Sequence, residues 1–179
     1  MKHHVVISGV LAATLVAGCA QKQLVEPASA STFRVTDVAV VLEDGPKRSA
    51  GFYEFTEADV AAKLRDTTLK ALTARNPDGA RDVVANVSLS RMVIANPGVG
   101  ILVGQKTSGL RGTITIKDAR SGEQLALTDN VTATTKPRPT LAGAAFIRSP
   151  EGELALIAEE FARRAAIAIF GDDPAAGDS

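Results

Sequence analysis

Leu110-Arg111-Gly112-Thr113-Ile114-Thr115-Ile116-Lys117 is the stretch whose alternation decides the fold. Leu110, Ile114 and Ile116 fall on one face, and Arg111, Thr113, Thr115 and Lys117 on the other. This is the period-2 signature of a strand with one buried side. Asp118 to Glu123 follows, with Ser121-Gly122 as a tight turn, and Leu125, Leu127, Val131 and Ala133 continue the apolar face on a returning strand. Two alternating runs joined by so short a turn predict a β-hairpin. Asp129 falls at an inward position on the second strand. A lone buried carboxylate is costly, so a bulge or strand end explains it better than a buried general base.

Upstream of the hairpin, Asp82 to Ala95 predicts another strand, with Val83, Ala85, Val87 and Leu89 alternating with Asn86, Ser88 and Ser90. The pattern slips at Arg91-Met92, as at a bulge or a change of exposure. By alternation Arg91 is inward, where it offers Asp129 an ion-pair partner. Asn96 to Gly109 is a glycine-rich loop. Further upstream, Thr56 opens a helix as its N-cap, with Glu57 and Asp59 in the first turn. Ala61, Leu64, Thr68 and Leu72 form its apolar face, widened by Val60 and Ala71. Asp59–Lys63 and Asp66–Lys70 are spaced as i,i+4 pairs, and Asn76-Pro77-Asp78-Gly79 ends the helix.

Phe33 to Leu42 is β-like. Thr36, Val38, Val40 and Leu42 share one face, and Val35, Ala39 and Val41 make the other apolar too, as in a strand buried on both sides. Glu43-Asp44-Gly45-Pro46 is a turn, with a loop to Tyr53. Downstream of the hairpin, Lys136-Pro137-Arg138-Pro139 breaks the sheet and Ser149-Pro150 starts a second helix. Leu154, Ile157, Ala158, Phe161, Ala165 and Ala168 form its apolar face, Glu159–Arg163 and Glu160–Arg164 pair across the outer face, and Gly171 stops it. The predicted fold is α+β: a mostly antiparallel sheet of about four strands with two helices on one face, in the order β-α-β-β-β-α.

The N-terminus has a different character. Lys2 precedes Val5 to Val16, an apolar run of 12 residues broken only by Ser8, Gly9 and Thr14. As a helix it spans roughly 18 Å, too short for a hydrocarbon core of about 30 Å but suited to a signal peptide. Val16-Ala17-Gly18-Cys19 then resembles the lipobox of bacterial lipoproteins. The resemblance implies a signal peptide over 1–18, with Val16, Ala17 and Gly18 read by the signal peptidase. It implies that Cys19 receives diacylglycerol and a further acyl chain such as palmitate. Several chains anchor stably where one does not. Ala20, in place of Asp, implies the outer membrane by the same resemblance. Removing 18 of 179 residues leaves 161, enough for one domain. The expected division is a lipidated Cys19 and flexible tether over 19–32, a single periplasmic domain over 33–171, and a disordered tail over 172–179.

Composition excludes several chemistries. The 20 basic and 20 acidic residues balance, which leaves no electrostatic footprint for nucleic acid. Cys19 is the only cysteine, and His3 and His4, the only histidines, lie in the signal peptide. The exported domain therefore has no disulfide, no Cys/His zinc site and no histidine-based nucleophilic centre. No metal and no cofactor are expected. Gly98-Val99-Gly100-Ile101-Leu102-Val103-Gly104 invites a phosphate-loop reading, but Val stands where the dinucleotide fingerprint needs its third Gly, and a strand follows instead of a helix. The acidic pairs Glu43-Asp44, Glu159-Glu160 and Asp172-Asp173 do not converge on one substrate.

The candidate interaction loop is Ile101-Leu102-Val103, with Leu141 to Ile147 as a second apolar stretch; the alternative is that both fold back onto the core. Lipobox, β-α start, glycine-rich interruption, hairpin and Ala-rich terminal helix together resemble small bacterial envelope lipoproteins, domains of unknown function among them. The resemblance implies a periplasmic α+β module and brings no catalytic residues with it. The expectation is a non-enzymatic, outer-membrane-anchored lipoprotein, held to the membrane by its N-terminal lipid. It would act on an envelope protein partner in envelope assembly or maintenance. The alternative is an auxiliary protein of a lipid or envelope transport system that touches lipid through its apolar loops.

Overall fold

A computed structural model describes residues 22–43, 55–95, 107–135 and 149–172. A short helix, α1 (Pro27–Ala30), leads into strand β1 (Phe33–Leu42). Helix α2 (Glu57–Arg75), strands β2 (Arg81–Val93), β3 (Gly109–Asp118) and β4 (Gln124–Thr134), and helix α3 (Pro150–Phe170) follow. The strands form one sheet in the order β1-β2-β3-β4. β1 and β2 are parallel, so the chain must cross over between them, and α2 makes that crossover. β2, β3 and β4 form an antiparallel meander. The α+β class and the β-α-β-β-β-α order stand as expected.

One face of the sheet is buried under the helices. Val83, Ala85, Val87 and Leu89 of β2 and Leu110, Ile114 and Ile116 of β3 meet Val60, Leu64 and Leu72 of α2 and Leu154, Ile157, Phe161 and Ala165 of α3. Thr56 caps α2 with a full capping box: Asp59 N–H donates to its hydroxyl, and the Asp59 carboxylate accepts from the Thr56 N–H. Ser149 caps α3 by accepting from Gly152 N–H, and Gly171 ends it at φ 84°.

Four register shifts, in β1, β2 and β4, change which side chains face the core. In β1 the register shifts between Val35 and Asp37. Phe33, Val35 and Val38 are buried while Thr36 is exposed and Val41 is 62% exposed, so this strand is not buried on both faces. In β2 the shift between Leu89 and Arg91 keeps Met92 inside and turns Arg91 out. In β4 two shifts, and Asn130 at φ 58°, bury Thr128 and leave Leu127 47% exposed on the opposite face. Leu127, expected inward, is therefore an outer residue, because each extra residue reverses the alternation beyond it.

Of the four expected helix ion pairs, Glu160–Arg164 forms and the other three do not. Asp59 is taken by its cap, and Asp66 meets Arg65 rather than Lys70. Glu160 accepts from both Arg163 and Arg164, which displaces the Glu159–Arg163 pair. A carboxylate three residues from one guanidinium and four from another reaches both.

Candidate functional site

The topology gives the domain two unlike ends. At the base, β1 and β2 begin, β3 and β4 meet in the turn at Ala119–Ser121, and α2 and α3 finish. At the rim, β1, β2 and β4 finish, β3 begins and both helices start.

The base is closed by the segment expected to be a free tether. The N–H groups of Leu24 and Val25 both donate to Ala168 O, at 2.8 and 3.2 Å, and the Gln23 amide donates to Ile169 O at 3.1 Å. Arg75 donates to the carbonyls of Gly171 and Asp172. The Ala168 and Ile169 carbonyls are among those that the last turn of a helix leaves without partners, so residues 23–25 cap α3 from outside. Val25 and Ala30 are buried. The described part of the 19–32 tether is thus docked on the domain, and Asp172, placed in the tail, is held through its carbonyl.

The rim is organised around Ser108. Its hydroxyl accepts from Ala95 N–H at 3.0 Å and donates to Glu153 Oε2 at 3.1 Å. Its backbone N–H donates to the Thr135 hydroxyl, and Thr135 N–H donates to its carbonyl. Glu153 lies 1% exposed within the first turns of α3. This buried carboxylate escaped the sequence reading, because helical periodicity assigns Glu153 no role and its partner Ser108 is 45 residues away.

The second face of the sheet has no covering layer among the described residues. Ala39, Asn86, Thr115 and Leu127 stand in one row across all four strands, and Val41, Ser88 and Thr113 in the next. Small polar and β-branched residues dominate it, with Val41 and Leu127 as exposed apolar points. The expected Arg91–Asp129 pair does not form: both side chains are exposed, and Arg91 lies opposite Arg111. Asp129 sits in the β4 bulge, as preferred over a buried general base.

A groove of about 920 Å³ runs between α2 and α3. Ala71, Ala74, Ala162 and Ala166 are among its apolar lining, with Lys63, Lys70, Asp66, Glu159, Arg163 and Asp172 among its charged lining. No described helix is long and apolar enough to cross a membrane, and no cluster of metal-ligating side chains occurs among the described residues.

Several carboxylates are held ionised. Backbone N–H groups of Ser121 and Arg120, with the Arg81 guanidinium, hold Asp118 well below the usual carboxylate range. The Arg65 guanidinium lowers Asp37, and the Thr56 cap lowers Asp59. Burial pushes Glu160 up, but Arg163 and Arg164 outweigh it and leave the carboxyl lowered. All four act as fixed anions rather than as proton donors near neutral pH. The remaining candidate residues, Val16, Ala17, Gly18, Cys19, Ile101, Leu102 and Val103, and the stretch Leu141 to Ile147, lie outside the described residues.

No family model matches the chain, and no curated protein matches it. Among solved structures, a PelC dodecamer from Paraburkholderia phytofirmans is 12% identical, covers 86% of this chain and 96% of its own, and has a TM-score of 0.42. A minor lipoprotein from Acinetobacter baumannii is 13% identical over 78% of this chain and 91% of its own, with a TM-score of 0.37. A protein from Caulobacter crescentus CB15, proposed to be a lipoprotein, is 16% identical over 79% and 89%, also with a TM-score of 0.37.

Proposed function

We propose that this chain is an outer-membrane lipoprotein, lipidated at Cys19, whose domain is a non-enzymatic protein-interaction module in envelope assembly or maintenance. The observation that carries this reading is the division of the domain into a base and a sheet face that has no covering layer among the described residues. The N-terminal segment enters at the base, docked on α3 through Leu24 and Val25. A lipid on Cys19 would hold the base toward the bilayer and leave the second sheet face to meet a protein. The signal peptide over 1–18, with Val16, Ala17 and Gly18 at the cleavage site, belongs to the same proposal, as does Ile101-Leu102-Val103 as a contact loop.

The groove between α2 and α3 bears on the lipid-handling alternative. A lipid site is a concave, mostly apolar pocket. This groove sets apolar Ala71, Ala74, Ala162, Ala166 and Ile167 beside charged Lys63, Asp66, Lys70, Glu159 and Arg163 and exposes more apolar than polar surface, which is the observation behind that alternative.

The test is gentle purification of the lipidated protein from its native membranes, with mass spectrometry of the Cys19 adduct and of everything retained. A diacylglyceryl adduct and a stoichiometric protein partner are expected. Phospholipid retained without a protein partner, by a soluble Cys19→Ser version, would sink the interaction reading in favour of lipid handling. An unmodified Cys19 would remove the anchor.

A further inference from the structure

The bulge in β2 has a chemical consequence. Without it, Ser90 would face Arg111; the shifted register instead sets Arg91 directly opposite Arg111 on the uncovered sheet face. Like charges directly opposite on paired strands repel. Other arginines of the domain have carboxylate partners: Arg34 meets Asp82, Arg65 meets Asp37, Arg81 meets Asp118, and Arg163 and Arg164 share Glu160. Among the described residues neither Arg91 nor Arg111 has a carboxylate within ion-pair reach.

A second observation points to what lies between them. The next outward position along β3 is Gly109, set between Val93 and Thr134. Gly109 has no side chain, and a Cβ there would meet nothing nearer than Ala133 O at 3.6 Å. The result is a notch of about 260 Å³ over the glycine, lined by Arg91, Arg111 and three threonines together with apolar Val93, Leu110 and Ala133. That is smaller than a typical pocket for a whole drug-sized ligand, and suits a single polar group. Guanidinium forks match planar oxyanions with two parallel hydrogen bonds, and the Thr107 and Thr134 hydroxyls offer further donors, while the Thr132 hydroxyl is committed to Asn130 O.

We propose that the notch over Gly109, flanked by Arg91 and Arg111, is an oxyanion site that receives a carboxylate from an acidic segment of the partner protein. This rests on the interaction reading and names the chemistry of the partner. Placement at the rim, far from the base where the N-terminal segment enters, favours a protein carboxylate over a headgroup of the anchoring membrane. The opposed arginines would then be stabilised only in the complex.

The test uses the detergent-solubilised mature protein, following the guanidinium Nε–Hε resonances during titration with a tetraglutamate peptide and, separately, inorganic phosphate. Saturable shifts of Arg91 and Arg111 with the peptide are expected. Arg91→Gln and Arg111→Gln should each weaken that binding tenfold or more, while Arg34→Gln leaves it unchanged. Removing one of two opposed like charges should leave Tm at low salt equal or higher, so lost binding is not lost folding. No saturable shift with either probe overturns the site. Saturable binding of phosphate without the peptide overturns the assignment to an acidic protein segment. If the partner recovered from native membranes is retained by Arg91→Gln/Arg111→Gln, this site is wrong while the interaction reading stands. If the wild type recovers no partner, that reading falls, and the peptide titration still decides the oxyanion site.

Discussion

Gly79 lies where single backbone atoms leave no room for a side chain. It sits between α2 and β2, and a Cβ on it would overlap the Phe33 carbonyl oxygen and come within 2.7 Å of Arg34 N. Both contacts are backbone, at the start of β1, so neither can swing away. Gly79→Ala should therefore cost about 1–3 kcal/mol, as overpacking does. Urea unfolding measures it, and a loss below about 0.5 kcal/mol would mean that the β1 start yields freely. Asp118 sets a pH dependence. Its carboxyl is depressed in the folded chain by Ser121 and Arg120 N–H groups and by Arg81. The unfolded chain then binds the proton more readily, so the contribution is complete above the unfolded value of about 3.9 and is lost as pH falls through the folded value. Asp118→Asn should flatten the fall of the urea midpoint below about pH 4 and leave the slope at neutral pH unchanged. A midpoint that falls with acid as steeply as in the wild type would show that Asp118 carries none of that dependence.

Elements are held largely by groups distant in sequence. The C-terminus of α3 is capped by residues 23–25, over 140 positions earlier. Gln23→Ala with Val25→Ala removes one such hydrogen bond and two buried methyl groups, an expected loss of about 2–3 kcal/mol. A free tether would show no loss, so thermal or urea unfolding separates the two. The carbonyls of Val35 and Val38 on edge strand β1 are taken by the Thr73 hydroxyl and by Arg65 Nε. Sheet edges left open recruit other strands. Arg65→Ala should raise light scattering during heating, and an unchanged aggregation onset would show that α2 covers the edge without it. At the rim, Ser108→Ala takes one hydrogen bond from each of two buried groups, Ala95 N–H and Glu153 Oε2. It should cost about 1–3 kcal/mol, again read from the urea midpoint.

At the scale of the molecule, the proposed lipid would give the domain an orientation. Cys19 is four residues before docked Gln23, a reach of at most about 14 Å. The base would then stay close to the bilayer. Cysteine probes placed by Ser121→Cys at the base and Thr134→Cys at the rim, on vesicle-bound lipidated protein, should transfer energy unequally to headgroup acceptors, with Ser121→Cys the stronger. Equal transfer from protein that remains on the vesicles would show a freely tumbling domain. A flexible insertion after Ala20 should equalise the two.

Local patterns carried the fold class. Alternation in β3, the Thr56 and Ser149 caps, the apolar stripe of α3 and the stop at Gly171 were all legible, because helix and strand periodicities express burial within a few residues of chain. The slip at Arg91-Met92 announced its bulge for the same reason. What the alternation could not give was the outcome beyond each bulge: Leu127 turned outward, Thr128 inward, and Arg91 set against Arg111 instead of Asp129. One inserted residue reverses every later side chain, and only pairing with the neighbouring strand decides where it goes. Nor did the polar stretch after Cys19 disclose that it caps α3, or Glu153 that it meets Ser108. Those contacts satisfy backbone and buried polar groups across the fold, a demand that exists only once the chain is packed.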